Sequence, residues 1–186
     1  MAGETAVLEV KFAGNGLTGL YPWDLVLEEG FSRLYRAELT ALSSQKHTAE
    51  ELAAAVDNGI SVIIREKLVT SAVYRVRYLH GIVTAAINKG VFCSASKSDC
   101  YTYVFVIEPE LARLKYTRHT APFYKMRPAA ITEKILSDYK IDVQVKDDYI
   151  SRGKFGKNLM FNQFNISDLD FIDGITRLYG ISYVFT

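Results

Sequence analysis

The sequence has no excess of charge of one sign and no long apolar run. Its 186 residues include 22 basic and 21 acidic side chains, for a net charge of +1. Nonspecific nucleic-acid binding needs clustered Lys and Arg, whereas the most basic stretch, residues 113–127, interleaves its charges with leucine and aromatic residues. No apolar stretch approaches the roughly 18 residues of a membrane-spanning helix. We therefore expect a soluble globular protein with no nucleic-acid partner.

Cysteine and histidine are also scarce. Cys93 and Cys100 flank a polar segment, and C-x6-C lacks the paired ligands of a zinc site. They could close a short disulfide loop, but no signal peptide precedes them, which favours reduced thiols. The three histidines, His47, His80 and His119, have no second ligand at metal-binding spacing. The sequence therefore predicts no metal or cofactor site.

Motifs for catalysis are missing as well. The sequence has no G-x-S-x-G elbow, no phosphate-binding glycine loop and no H-E-x-x-H helix. The carboxylate candidates for acid–base chemistry are Asp147, Asp148, Asp168, Asp170 and Asp173. Asp168 and Asp170 fall in the first turn of a predicted helix, where negative charge favours the helix dipole. We expect no catalytic residues, no small-molecule substrate and no enzyme activity.

Residues 1–120 predict an antiparallel β-barrel with one short helix. Alternating apolar and polar residues predict strands at Val7–Phe12, Tyr21–Glu28, Phe31–Leu42, Ile60–Glu66, Val73–Asn88 and Asp99–Tyr116. Thr48–Glu51 has the pattern of a capping box and predicts the start of the helix, while Gly59 follows its end. Short turns between many strands favour a closed barrel or a sandwich.

Residues 121–186 predict a small α/β module, so the expected fold class is mainly β with an α+β tail. Pro128 opens a helix and Ser167 begins another, which Gly180 ends. Together with three strands, they give the order helix, strand, strand, helix, strand. The predicted strands are Ile141–Val145, Asn158–Asn165 and Ile181–Phe185, with a loop at residues 146–157.

Aromatic residues are abundant, with 12 Tyr and 10 Phe, although Trp23 is the single tryptophan. Packing in the core explains most of them, and others suit a subunit interface. We expect such an interface at the edges of the long strands, at Tyr74–Tyr78 and Tyr101–Phe105.

Five regions, in order, resemble the N-terminal part of VgrG proteins and of related contractile-phage hub proteins. Residues 79–84 read L-H-G-I-V-T, similar to the family's F-H-G-I-V-T strand. Residues 163–172 resemble its Q-Y-x-E-S-D-x-x-F-[IL] pattern. The regions are Glu29–Leu39, Leu79–Thr84, Val106–Leu114, Arg127–Leu136, and Gln163–Ile172 with Tyr179–Phe185. Two positions depart from the pattern: Ile166 replaces an acidic residue and Gly174 an arginine.

The resemblance implies a structural hub and spike component of a contractile injection apparatus, of the type VI secretion kind or a related phage-tail-like particle. It implies a homotrimer that joins the inner tube to the membrane-puncturing spike and helps deliver effectors. The implied partners are an Hcp-like tube protein, baseplate wedge proteins, a PAAR-like spike tip and effectors, the last two through C-terminal regions. Assembly in the bacterial cytoplasm, followed by ejection, is the implied location.

Three alternatives remain open from the sequence. The first is the tail hub of a contractile bacteriophage. The second is a module that binds or hydrolyses the cell wall, against which stand the single tryptophan and the absence of an evident acid–base pair. The third is a standalone β-barrel that binds a ligand in an apolar cavity.

Overall fold

The computed structural model describes residues 6–13, 17–67, 74–93, 99–142, 144 and 160–185. The chain divides into two compact units. Unit 1 comprises residues 1–29 and 34–109, and unit 2 comprises residues 30–33 and 110–186. Each unit is described by itself below.

Unit 1 is an antiparallel sheet of six strands with one helix. The order across the sheet is β1-β4-β5-β6-β3-β2, and every neighbouring pair is antiparallel. The mainly β fold class is thereby confirmed. The elements are β1 (Ala6–Phe12), β2 (Leu20–Glu28), β3 (Arg36–Ser43), α1 (Ala49–Ala55), β4 (Gly59–Lys67), β5 (Tyr74–Cys93) and β6 (Asp99–Glu108).

The sheet is strongly curled around an apolar interior. Phe12 of β1 and Phe105 of β6 lie three strand intervals apart, about 14 Å in a flat sheet. Their rings nevertheless meet edge to face with centroids 5.2 Å apart. Alternate residues of the central strands face this interior, and Tyr103, Phe105 and Ile107 have no exposed surface. Curling therefore gives one face of each strand a buried core, as the alternation predicts.

Strand β5 connects the β1–β4 half of the sheet to the half formed by β6, β3 and β2. It runs for 20 residues, pairing with β4 up to Ile82 and with β6 from Ile82 onward. Register shifts at residues 83–85 and 88–90 bend its second half. The alternation predicted a strand ending at Asn88, but pairing with β6 extends it to Cys93.

Helix α1 begins with the predicted capping box. The Thr48 hydroxyl accepts the backbone N–H of Glu51 at 3.2 Å, and a Glu51 carboxylate oxygen accepts the N–H of Thr48 at 2.8 Å. The hydrogen bond from the Thr48 backbone holds the pKa of Glu51 below its usual value. Leu52 and Ala55 are the buried residues of the helix. Local sequence therefore fixes where α1 begins.

Unit 2 contains a 3₁₀ helix at Glu110–Lys115, a two-stranded antiparallel sheet and two α-helices. The strand at Arg118–Tyr124 pairs along its whole length with the strand at Met160–Ser167. The bounds are β7 (Arg118–Tyr124), α2 (Pro128–Asp138), β8 (Met160–Ser167) and α3 (Asp168–Leu178). Pro128 opens α2 as predicted, and Gly180, with φ +66°, follows α3.

Two predicted strands are present but their predicted bounds were wrong. The strand expected over Asp99–Tyr116 ends at Glu108, because Pro109 has no N–H to donate and the next residues coil so that Leu111 and Leu114 are buried. The strand expected from Phe31 begins at Arg36, after a turn in which Ser32 has φ +51°.

The tail also differs from the predicted element order. Residues 181–185 are not a strand: the backbone N–H of Ser32 donates to the carbonyl of Tyr183 at 2.9 Å, in place of a sheet ladder. Residues 141, 142 and 144 are not in a strand either, while 143 and 145 lie outside the described residues, as does the loop predicted at 146–157.

The compact units separate at residue 109/110, whereas the change in sequence pattern suggested 120/121. The difference arises because β7, at Arg118–Tyr124, pairs with β8, and both lie in unit 2. That each unit is an independent domain stays a prediction.

Candidate functional site

The three histidines lie in separate environments. His47 is 5% exposed, its backbone N–H donates to the Tyr103 hydroxyl at 2.8 Å, and its ring packs on that of Tyr103 with centroids 5.3 Å apart. His80 lies on the outer face of the sheet, where its Nδ1 is 2.8 Å from the Ser61 hydroxyl and its ring stacks on Tyr78. Packing and a hydrogen bond explain the position of His80. In His47, Nδ1 lies 3.4 Å from a Glu51 carboxylate oxygen, whereas the buried Nε2 has no hydrogen-bond partner among the described residues.

Among the predicted carboxylates that the structure describes, Asp168 is the one that is deeply buried, and it contacts His119. Asp168, at the start of α3, is 2% exposed, and its two oxygens lie 2.9 and 3.0 Å from Nδ1 of His119. Gln163 of β8 donates its amide to one oxygen at 2.7 Å, and the Tyr139 hydroxyl donates to the other at 2.5 Å. The carboxylate therefore joins β7, α2, β8 and α3.

The donors around Asp168 keep it ionised. Burial alone would raise its pKa, but hydrogen bonds from Tyr139, Gln163 and His119 outweigh that effect and hold the pKa of Asp168 below its usual value. Burial, reinforced by the hydrogen bond to Asp168, raises the pKa of Tyr139. With both oxygens bonded to protein donors, this carboxylate has a structural role.

The other carboxylate candidates are not gathered into one site. Asp170 bonds the hydroxyl of the helix-capping Ser167 at 2.6 Å. Asp173 accepts the Tyr183 hydroxyl at 2.9 Å, and burial raises the pKa of Asp173. Asp147 and Asp148 lie outside the described residues.

The described residues contain no cluster of three or more His, Cys, Asp and Glu that could hold a metal ion. Within the same part of the chain, no helix is both long and apolar enough to cross a membrane.

Gly81, in the L-H-G-I-V-T region, is the most crowded of the glycines that the structure describes. A Cβ at this residue would overlap the carbonyl oxygen of Glu108 and the hydroxyl of Tyr35. That hydroxyl donates to the backbone carbonyl of His80, and burial raises the pKa of Tyr35. A glycine is required here because the Tyr35 side chain and the end of β6 both approach its Cα in β5.

Exposed apolar side chains are concentrated on the strands, as an assembly surface requires. On β2, Trp23 is 72% exposed, because the pairing with β3 shifts register between Pro22 and Asp24 and leaves Trp23 at the bulge. The sequence analysis missed this feature, although a proline inside a predicted strand is a signal for a bulge or an edge.

The two predicted interface segments differ in the structure. Tyr101–Phe105 lies inside β6, which pairs on both sides, and both Tyr103 and Phe105 are fully buried. Tyr103 and Phe105 therefore belong to the core, while an interface at the half-buried residues 101, 102 and 104 stays a prediction. Residues 75–78 of β5 are exposed and pair with β4. An interface at that segment stays a prediction.

Ile166 and Gly174, which depart from the residues expected in the hub family, both fit their surroundings. The backbone carbonyl of Ile166 accepts a hydrogen bond from the Gln163 amide at 3.1 Å. The Ile166 side chain itself is exposed. Gly174 lies on the exposed side of α3, with no atom within 4 Å of the position of a Cβ.

Comparisons with known proteins found a matching family and a solved structure with a similar fold. The sequence profile described as "Phage tail baseplate hub (GPD)" matches residues 28–186. A solved structure of the E. coli c3393 protein, described as a component of the type VI secretion system similar to the T4 bacteriophage tail proteins gp27 and gp5, superposes with a TM-score of 0.66 at 21% identity. The match covers 96% of this chain and 45% of that protein, so this chain spans less than half of its length. No curated protein sequence matches the chain.

Proposed function

This chain belongs to the phage tail baseplate hub (GPD) family, and from that premise we propose that it is the N-terminal part of a hub and spike component in a contractile injection apparatus. It assembles as a homotrimer that joins the inner tube to the spike and helps deliver effectors. Its partners are an Hcp-like tube protein, baseplate wedge proteins, a spike tip and effectors. It assembles in the bacterial cytoplasm and is later ejected.

One observation carries the proposal: the family match runs from residue 28 to residue 186, so it includes β3 to β8 and the helices of both units rather than one short motif. Residues in the regions that resemble the family have structural roles in this chain. Gly81 allows the Tyr35 side chain and the end of β6 to approach β5, and Asp168 joins elements of unit 2. A protein whose characteristic residues build its fold is expected to work through its shape and its surfaces.

The electrostatics support the same view. The ionisable groups with shifted pKa values, such as Asp168 and Tyr35, have the shift explained by burial or by hydrogen bonds within the fold. The exposed aromatic residues of the strands provide area for association, and tryptophan and tyrosine are enriched at the energetically important centres of interfaces.

The test is deletion of the gene in the bacterium that carries it, followed by an assay of injection into target cells. We expect injection to be lost and to be restored by the wild-type gene. A matched control is Gly174→Ala, an exposed change that should restore injection fully. Normal injection after deletion would contradict the proposal.

A tail hub of a contractile bacteriophage is the second candidate, because the matching family is described as a phage tail hub. The two apparatuses differ in the tube protein that stacks on the hub. Copurification from the host, with identification of the bound tube protein by mass spectrometry, separates them. Hydrolysis of purified peptidoglycan by the chain would instead favour the cell-wall module.

A further inference from the structure

The two-stranded sheet of unit 2 has one face that packs inside the unit. The ring of Phe123 on β7 stacks on that of Phe171 on α3, with centroids 5.3 Å apart. Phe123 pairs across the sheet with Phe161 of β8, and the next pair on the same face is Ala121 with the buried Gln163. Directly paired residues point to the same face of a sheet. This inner face therefore packs within unit 2.

The opposite face of the same sheet is apolar and exposed. We call it the outer face of unit 2, and it consists of the three cross-strand pairs that alternate with the inner ones: Thr120–Phe164, Pro122–Asn162 and Tyr124–Met160. All six residues are exposed. Phe164 is 77% exposed, Tyr124 60% and Met160 59%. These pairs extend about 14 Å along β7. An exposed apolar area of this kind marks an interaction site.

The charge around the outer face has one sign. Residues 111–132, which include β7, hold five basic and no acidic side chains, and β8 holds no charged side chain. Arg118 begins β7, is exposed, and takes part in no ion pair within the described part of the chain. Lys125 follows the other end of β7, with its ammonium 5.1 Å from the centroid of the Tyr124 ring. A complementary partner surface is therefore apolar and bordered by carboxylates.

The partner element that fits this face best is a helix. Pro122 has no N–H to offer an added strand, whereas a helix packing on the apolar face of a sheet is the usual way to bury that face. A nucleic-acid strand fits less well, because its binding typically neutralises about six or more phosphates and the face is bordered by only Arg118 and Lys125 among its exposed cations.

The helix belongs to a different protein. Each of the three α-helices in the described residues already buries its apolar stripe: Leu52 and Ala55 are buried in α1, and α2 and α3 each bury a longer set. A second copy of this chain therefore offers no free amphipathic helix from that part of its structure.

We propose that the outer face of unit 2 binds an acidic amphipathic helix of another protein. The apolar stripe of the helix packs on Phe164, Tyr124 and Met160, and its carboxylates lie against Arg118 and Lys125. The distance from Arg118 to Tyr124 along the strand is about 20 Å, which a helix of about 14 residues spans. This inference adds a surface of unit 2 to the proposed function, and rests on it only in that the partner belongs to the same apparatus.

The test uses a synthetic helical peptide of about 18 residues, with leucine at every third and fourth position and glutamate on both sides of that stripe. Its binding to the 186-residue chain is measured by fluorescence anisotropy. We expect saturable binding that weakens with salt. Phe164→Ala, Tyr124→Ala and Arg118→Glu should each weaken it about tenfold, as for central interface residues. A peptide with lysine in place of each glutamate should bind more weakly than the acidic one.

The matched control variants lie in unit 1. Tyr21→Ala removes a tyrosine that is 68% exposed, and Lys46→Glu reverses an exposed charge, so both should bind the acidic peptide as the wild type does. Circular dichroism confirms that the variants fold. Wild-type affinity in both Phe164→Ala and Arg118→Glu, or equal affinity for the acidic and basic peptides, overturns the inference.

The partner itself is identified by placing a photoreactive benzoylphenylalanine at position 164 in the bacterium that carries the gene. A cross-link to a carboxylate-bearing helix of a different protein supports the inference. A cross-link to a second copy of this chain or to nucleic acid, or no cross-link, overturns it. The hub proposal is judged separately, by injection after gene deletion, so either can fail alone.

Discussion

At the scale of single residues, the fold depends on positions where distant segments come into contact. Tyr35 and His80 are 45 residues apart and share a hydrogen bond beside Gly81. His119 and Asp168 are 49 residues apart and meet at 2.9 Å. Neither contact has a local sequence signal, and both restrict what can replace the residues involved.

Gly81→Ala should destabilise the protein strongly. The added methyl group overlaps the Glu108 carbonyl oxygen and the Tyr35 hydroxyl, and backbone atoms cannot move away as a flexible side chain would. Overpacking of this kind typically costs about 1–3 kcal/mol. Chemical denaturation gives the free energy of unfolding, and an unchanged value would contradict the crowding argument.

Gly174→Ala is the matched control and should act in the opposite direction. No atom lies within 4 Å of its Cβ position, and the residue is in the middle of α3. Alanine is about 1 kcal/mol more favourable than glycine inside a helix. The same denaturation measurement should therefore show a small gain in stability.

Asp168→Asn should lower stability by about 2 kcal/mol at neutral pH, as expected for loss of hydrogen bonds to a charged group. An asparagine has one acceptor oxygen, so its NH₂ group would face one of the donors Tyr139, Gln163 or His119.

The effect of Asp168→Asn should depend on pH. Since the folded pKa of Asp168 is lowered, its stabilisation is fully present above the unfolded value of about 3.9 and is lost as pH falls through the folded value. The difference between wild type and variant should therefore shrink in acid. Asp173→Asn provides the contrast: burial raises the pKa of Asp173, so removing its charge should increase stability only at pH values above that raised pKa.

At the scale of elements, short-range signals decided the helices and long-range pairing decided the strands. Thr48, Pro128 and Ser167 each mark a helix start within one or two residues. The predicted strand at Ile181–Phe185 has suitable residues but no strand partner in the described part of the chain, and its Tyr183 contacts Ser32. A strand exists only where a second strand completes its hydrogen bonds.

Thr48→Ala should cost about 1 kcal/mol, because it removes the hydroxyl that accepts the Glu51 N–H. Helix α1 has seven residues, too few to be stable without its cap and its packing. Thr48→Ser keeps the hydroxyl and should retain most of the stability. Equal losses in both variants would show that the threonine methyl group, not the cap, is what matters.

At the scale of the whole molecule, the two units are interleaved along the chain. Residues 30–33 belong to unit 2, although they follow β2 of unit 1 directly. Ser32 contributes to unit 2 through its contact with Tyr183. A cut at a single position therefore cannot separate the two units completely.

A chain ending at Pro109 should retain the six-stranded sheet, because all six strands and α1 lie before that residue. We expect a β-rich circular dichroism spectrum and cooperative thermal unfolding. The fragment 110–186 lacks the Ser32 contact and should be the less stable of the two. A disordered 1–109 fragment would show that unit 1 needs unit 2 in order to fold.

The sequence by itself determined the mainly β class, the capping box at Thr48, the helix starts at Pro128 and Ser167 and the resemblance to hub proteins, because these depend on neighbours within a few positions. Only the tertiary structure decided the sheet order, the burial of Asp168, the crowding at Gly81 and the exposure of Trp23. Alternation shows that a strand has two faces. Which face is buried, and against which partner, depends on segments tens of residues away along the chain.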